Sequence, residues 1–229
     1  MSKLIRKTVF LGFLSIFLLL SLLSCSKADI SFYLNNEEAQ KEGVISYAIF
    51  HKHAELVKPL IESGADVNQM THEHVTPLMY AARLAKPEAV KLLINAGAEV
   101  NLESNEKMTA FDYAIIGGNK KCIRLLAKAG SDVNHKSEGG MTPIVSASIM
   151  GSKNLVKLLI ECGADVNYID ENGDSALIYA VRNYAYDVAK ILLKNGADAR
   201  HRNQDGESSL DIARSYRDKK MLGILKKSW

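Results

Sequence analysis

The sequence predicts an all-α repeat solenoid, in which short helix–turn–helix units stack in a row and projecting hairpin fingers join one unit to the next. Three sets of residues sharing one period predict it. Gly64, Gly97, Gly130, Gly163 and Gly196 stand 33 residues apart, and each opens the same phrase: GADVN, GAEVN, GSDVN, GADVN and GADAR. Thr76, Thr109, Thr142, Ser175 and Ser208 keep that interval. So do Ala48, Ala81, Ala114, Ala147, Ala180 and Ala213.

Before the repeats, residues 1 to 24 have another composition. Lys3, Arg6 and Lys7 precede an apolar run from Val9 to Leu20, and Ser21-Leu22-Leu23-Ser24-Cys25 follows. A basic start, an apolar centre and a small-residue end make an export signal. The tail LLSC resembles the bacterial lipobox, which implies that the Cys25 sulfur is lipidated and that Cys25 becomes the first residue after cleavage. Residues 25 to 38 then read as a lipidated cysteine and tether. From Ser26 to Glu38 such a segment reaches about 45 Å when fully extended, keeping the repeats close to their membrane. A residue other than Asp after the Cys favours the outer membrane and its periplasmic side in enterobacterial lipoproteins.

Each repeat yields the same elements in the same order. A Thr or Ser followed by Pro, Ala or Ser suits a helix start, because the hydroxyl can accept an orphan backbone N–H and Pro is tolerated at the first helical position. This places a first helix from about Thr76 to Arg83. A second helix spans Glu88 to Ala96, with Val90, Leu93 and Ile94 at helical spacing, and stops at Gly97, which can take the left-handed conformation. The stretch after it, as in Tyr168-Ile169-Asp170-Glu171-Asn172-Gly173, is turn-rich and reads as the finger. Six units fit, at residues 39–68, 69–101, 102–134, 135–167, 168–200 and 201–229. Met221, Leu222, Ile224 and Leu225 beside Lys219, Lys220, Lys226 and Lys227 give the last one a wet face.

The strongest unit, VTPLMYAARLAKPEAVKLLINAGAEVN (Val75 to Asn101), resembles the ankyrin repeat. The resemblance rests on Thr76-Pro77-Leu78, Thr142-Pro143, the turn glycines Gly118 and Gly151, and Leu92-Leu93, Leu125-Leu126, Leu158-Leu159 and Leu192-Leu193, and covers residues 39 to 227. Two departures carry expectations. Pro59 replaces a leucine of the second helix of unit one, which should bend or fray there. His74 and Lys107 stand where later fingers have Gly140, Gly173 and Gly206, so those two fingers should differ in shape.

Composition excludes several functions. Without Lys3, Arg6 and Lys7 the 29 basic residues fall to 26, equal to the 26 acidic ones. Nothing then favours electrostatic binding of nucleic acid. Cys122 and Cys162 lie seven positions apart within their units, an axial offset of about 10 Å before the repeat spacing is added, too far for a disulfide. Cys122 reads as a small core residue. His72-Glu73-His74 and His51-Lys52-His53 lie on turns without the three or four ligands of a functional zinc site. His135 and His201 begin fingers two repeats apart. No phosphate loop, nucleophile elbow or Ser, His and Asp grouping appears. Asp66, Asp132, Asp165 and Asp198 belong to the repeat phrase as finger-stabilising residues. Enzyme activity, a cofactor and a small-molecule substrate are therefore not expected.

What the ankyrin resemblance implies is a protein partner, met by the finger tips and the concave groove along the first helices. Carried onto this sequence, the recurring contact positions form an apolar seam in units two to four: Met70, Val75, Leu84, Met108, Ile116, Met141, Ile149 and Met150. Arg83, Ile169, Arg182 and Tyr216 occupy the same register at its margin, where Asp174, Asn183 and Glu207 also turn the surface polar. An apolar centre with a polar rim is how a protein interface is built, and methionine adapts well to a partner surface. The expected function is an exported, membrane-anchored scaffold of a bacterial cell envelope that binds another protein without catalysis. The alternatives are an immunity protein neutralising a delivered toxin and an envelope spacer without a dedicated ligand.

Overall fold

The computed structural model describes residues 30–226, so the export signal and Cys25 lie outside the described residues. Residues 30–35 form α1. It is followed by α2 (Glu37–Glu42), α3 (Val44–Phe50), a 3-10 turn (Ala54–Leu56) and α4 (Val57–Glu62). The later units repeat one helix pair: α5 (Pro77–Arg83) with α6 (Pro87–Asn95), α7 (Ala110–Gly117) with α8 (Lys120–Lys128), and α9 (Pro143–Ile149) with α10 (Lys153–Glu161). Then come α11 (Ala176–Arg182) with α12 (Tyr186–Lys194) and α13 (Ser209–Ser215) with α14 (Lys219–Leu225). The fingers add two isolated antiparallel bridges, Ile169–Ser175 and Arg202–Ser208. Among the described residues no helix is long and apolar enough to cross a membrane.

The periodic residues make the helix ends. The Thr76 hydroxyl accepts the Met79 N–H at 3.2 Å, and Asp112 and Asp211 close reciprocal capping boxes with Thr109 and Ser208, satisfying orphan donors of the first turn. Every second helix from α4 to α12 ends in a Schellman motif. After α6, Gly97 sits at φ 88°, its N–H reaches the Ile94 carbonyl at 3.1 Å, and the Ala98 N–H reaches that of Leu93 at 3.0 Å.

Packing follows the same period. First helices stack on first helices and second on second, as in α3, α5, α7, α9, α11 and α4, α6, α8. Leu60, Leu93, Leu126, Leu159, Leu192 and Leu225 are all 0% exposed, as are the six alanines from Ala48 to Ala213. Leucine fills the layer between helix pairs, and the absence of a larger side chain at alanine lets helices approach closely. Cys122 is likewise 0% exposed, and burial pushes its thiol up to about 11, keeping it protonated. It is not bonded to Cys162.

The expected irregularity at Pro59 is present and local. Where α6 runs nine residues, Pro87–Asn95, the matching segment of unit one is a 3-10 turn (Ala54–Leu56) followed by the six-residue α4 (Val57–Glu62), so α-helical winding begins only two residues before Pro59, which has no N–H for the preceding turn. Two expectations need correction. The fingers at His74 and Lys107 keep the common shape. Both residues adopt positive φ, 55° and 53°. In every finger the first position bonds the residue four on: Thr71 to Val75, Ser104 to Met108, Ser137 to Met141, Asp170 to Asp174 and Asn203 to Glu207. A hydroxyl, carboxylate or amide at that first position adds a second bond across the turn, as from the Val75 N–H to Thr71 Oγ1 at 3.1 Å. These clamps hold the left-handed residue without needing glycine. Last, residues 30–38 are not an extended tether, because α1 packs Tyr33, 6% exposed, against the first repeat. α2 then takes the place of the first finger.

His135 joins two repeats. Its Nδ1 lies 3.0 Å from Asp112 Oδ2 and its Nε2 3.1 Å from Glu103 Oε1. The bond to Asp112 chiefly, with Glu103 assisting and burial opposing, pushes its pKa from 6.5 up to about 9. A folded-state pKa above the unfolded one means that this stabilisation is complete below about pH 6.5 and is lost as pH rises through 9. Thermal unfolding followed from pH 6 to 10 should therefore show a decline that His135→Gln removes. Equal slopes in the two proteins would sever this link. Separately, Leu93→Ala should cost about 2 to 5 kcal/mol in denaturant unfolding, whereas a loss below about 1 kcal/mol would contradict its place in the leucine column.

Candidate protein-interaction surface

Two ladders of side-chain-to-backbone bonds hold the finger bases in line. Within a unit, Asp66, Asp132 and Asp165 accept the N–H of the residue two on, at 2.9 Å in each case. Between units, the side-chain oxygens of Asn68, Asn101, Asn134 and Asn167 accept the N–H of Glu99, Asp132, Asp165 and Asp198 at 2.8 to 3.0 Å. Finger tips also bond tip to tip, as from the Asn105 N–H to the Glu73 carbonyl at 3.1 Å and from Gln204 to Asn172 at 3.1 Å. The result is a row of rigid fingers standing over a row of first helices, with grooves between them.

The groove across units two and three, about 400 Å³, assembles predicted residues from two fingers and two helices. Val75, Arg83, Met108 and Ile116 line it together with Tyr80 and Tyr113. Their exposures differ. Ile116 is 55% exposed and Leu84, beside it in register, 38%, whereas Val75 is 7% exposed and belongs to the core. Met108, Met141 and Ile149 are half-buried and pack against the core, and Met70 is half-buried at a finger base. Met150, at 55% exposure, continues the open apolar line into unit four. The seam is thus a line of projecting tips, Leu84, Ile116 and Met150, on half-buried supports.

Past unit four the polar margin is occupied by its own network. Arg182 pairs with Asp174, which is 3% exposed, and its guanidinium lies 6.0 Å from the Tyr179 ring centroid. Asn203 Nδ2 donates to Asp174 Oδ1 at 2.8 Å. The Tyr179 hydroxyl donates to Asp170 Oδ2 at 2.6 Å, and burial, then this bond, push its phenol up to about 12. Arg182 is therefore a bonded strut between finger and helix. Arg83 has a looser role, lying 5.9 Å over the Tyr113 ring. Ile169 remains 44% exposed on its finger, and Tyr216, 45% exposed, stacks on Tyr184 at 5.7 Å.

One component of this surface escaped the sequence reading. Tyr47, Tyr80, Tyr113 and Tyr179 share the register four residues into the first helix, and the first three line the grooves. The 33-residue spacing of Tyr47, Tyr80 and Tyr113 was the available signal. Phe50 and Tyr184, 60% and 51% exposed, also stand at first-helix ends. As for the histidine groups, His72 Nδ1 meets Glu42 at 2.7 Å and His74 bonds Asn105. Among the described residues no group of three or more His, Cys, Asp or Glu is placed to hold a metal ion.

Comparison with known families agrees with this geometry. A family model of ankyrin repeats in three copies matches residues 45–137 and again 129–203. No curated protein matches the chain. With most of its length matched, its helix pairs stacked at one period and its fingers standing over the first helices, the chain belongs to the ankyrin-repeat family and is built as a protein-interaction scaffold.

Proposed function

We propose that this chain is an exported ankyrin-repeat scaffold of a bacterial envelope, held to its membrane by a lipid on Cys25, that binds another protein without catalysis. Binding uses the finger tips and the groove beside them. The observation that carries this reading is the line of Leu84, Ile116 and Met150, exposed apolar tips at adjoining register positions of the first-helix ends, beside a groove lined by Tyr80 and Tyr113. Apolar side chains left open on rigid supports lose little conformational freedom on binding, which favours a specific interface.

Support for anchoring comes from the sequence of residues 1 to 25, with its basic start, apolar run and LLSC tail. Four residues, 26–29, separate Cys25 from the first described residue, a stretch that reaches at most about 15 Å. An anchored chain thus holds its first repeat beside the membrane, with the later repeats extending from it.

The tagged full chain, solubilised from envelope and purified with its bound proteins, should retain one partner that an Ile116→Glu/Met150→Glu double variant loses by at least tenfold. Both side chains are more than half exposed, so the variant should melt as the parent does. A parent that retains no specific protein, or a partner unaffected by both glutamates, would refute the seam. Cys25→Ser should move the chain from the membrane to the soluble fraction, and unchanged fractionation would refute a lipid anchor.

A further inference from the structure

The groove at the first repeat has a different chemistry from the others. Because α2 stands where later units have a finger, a cavity of about 250 Å³ forms between α2, α3, α5 and the tip of the next finger. This is smaller than sites for drug-sized ligands and suited to one side chain. Tyr47, Phe50 and Tyr80 contribute rings, and Glu38 and Glu42 contribute carboxylates, while no Lys or Arg lines it. The Phe50 ring meets that of Tyr80 edge-on at 5.9 Å and that of His51 at 5.3 Å. The Tyr47 and His51 rings stand 4.2 Å apart. His72 Nδ1 holds Glu42 at 2.7 Å, and the Tyr47 hydroxyl lies 3.5 Å from Glu38.

An unpartnered group also lines this cavity. Ser46 is 1% exposed and its hydroxyl has no hydrogen-bond partner. Asp112 and Asp211 occupy the same register in later units and close capping boxes with Thr109 and Ser208. In unit one, Gly43 stands at the cap position and provides no side chain to bond.

We propose that this cavity receives the cationic end of a basic side chain, the ammonium of a lysine or the guanidinium of an arginine, presented by the bound protein. The inference rests on the reading of this face as a protein-binding surface. Ring faces attract a cation through their quadrupoles, and nearby carboxylates add a direct charge attraction. Phe50, 60% exposed, gives the alkyl stem an apolar wall. The local field has the matching sign: burial, then the charges of Glu73 and Glu42, raise the Tyr80 phenol above its ordinary range.

The test uses the full chain in mild detergent with its aromatic rings isotope-labelled, titrated with N-acetyl-lysine methylamide while the ring signals of Tyr47, Phe50 and Tyr80 are followed by NMR. The expected result is saturable shifts with lysine amide, and weaker binding by tenfold or more for the norleucine analogue, which lacks the charge. Phe50→Ala at an exposed ring and Glu42→Gln at a half-buried carboxylate, both checked by thermal melting, should each weaken lysine amide binding by about 3- to 30-fold. Equal binding of lysine and norleucine, or no response to either substitution, would overturn the proposal. Phosphoethanolamine binding as tightly as lysine amide would overturn it in favour of a lipid headgroup. The probe needs no partner protein, so failure here leaves the partner-capture experiment independent, and failure there leaves this one readable.

Discussion

Every helix pair in this chain needs the next one to cover its apolar face, and the rest of the structure follows from that constraint. An isolated pair of helices of seven and nine residues is too short to hold its own hydrogen bonds in water. Stacked, each pair delivers a leucine such as Leu93 or Leu126 to 0% exposure, with Ala81 and Ala114 letting the first helices close up. The asparagines from Asn68 to Asn167 do a different job. Their bonds to the next unit lie near the surface and contribute modestly each, yet they tie every finger base to its successor at one distance. Burial supplies the cohesion and the asparagine ladder sets the register.

That division of labour explains where the surface is free to vary. Residues pointing between units are fixed by packing, while the side chains at several first-helix ends stand open. Unit five shows how part of such a surface becomes structural again: Asp170, Asp174, Tyr179, Arg182 and Asn203 bond one another across two fingers and a helix. Leu84, Ile116 and Met150 have no comparable bonding partners, which leaves them as the open apolar line. At the other end, replacing a finger by α2 converts a groove of the common type into an aromatic, acidic cavity. One scaffold thus presents an acidic, an apolar and a self-bonded polar region in sequence along its length.

Much of this was legible in the sequence because the signals are local and repeated. The helix starts at Thr76 and Thr109, the Schellman stops at Gly97 and Gly130, and the burial of Cys122 each depend on residues within a turn or two. The finger shape was not legible at His74 and Lys107, where the absence of glycine suggested a different turn. The clamps at Thr71 and Ser104 settle that conformation instead, at positions where Thr, Ser, Asp and Asn all serve and only Ser occurs twice. Pro59 was legible as an irregularity, but that a 3-10 turn just before it would take up the change was not.

By itself the sequence determined the period, the helix pairs, the caps and the balance of charge, since a repeat is a one-dimensional pattern written in neighbouring residues. The tertiary structure alone decided which members of each column stay open. Ile149 is half-buried while Ile116 projects, Arg182 is bound while Arg83 lies over a ring, and residues 30–38 fold onto the first unit where an extended tether was expected. The physical reason is that exposure belongs to a side chain together with what stands over it, and here the covering groups come from units 33 residues away on either side.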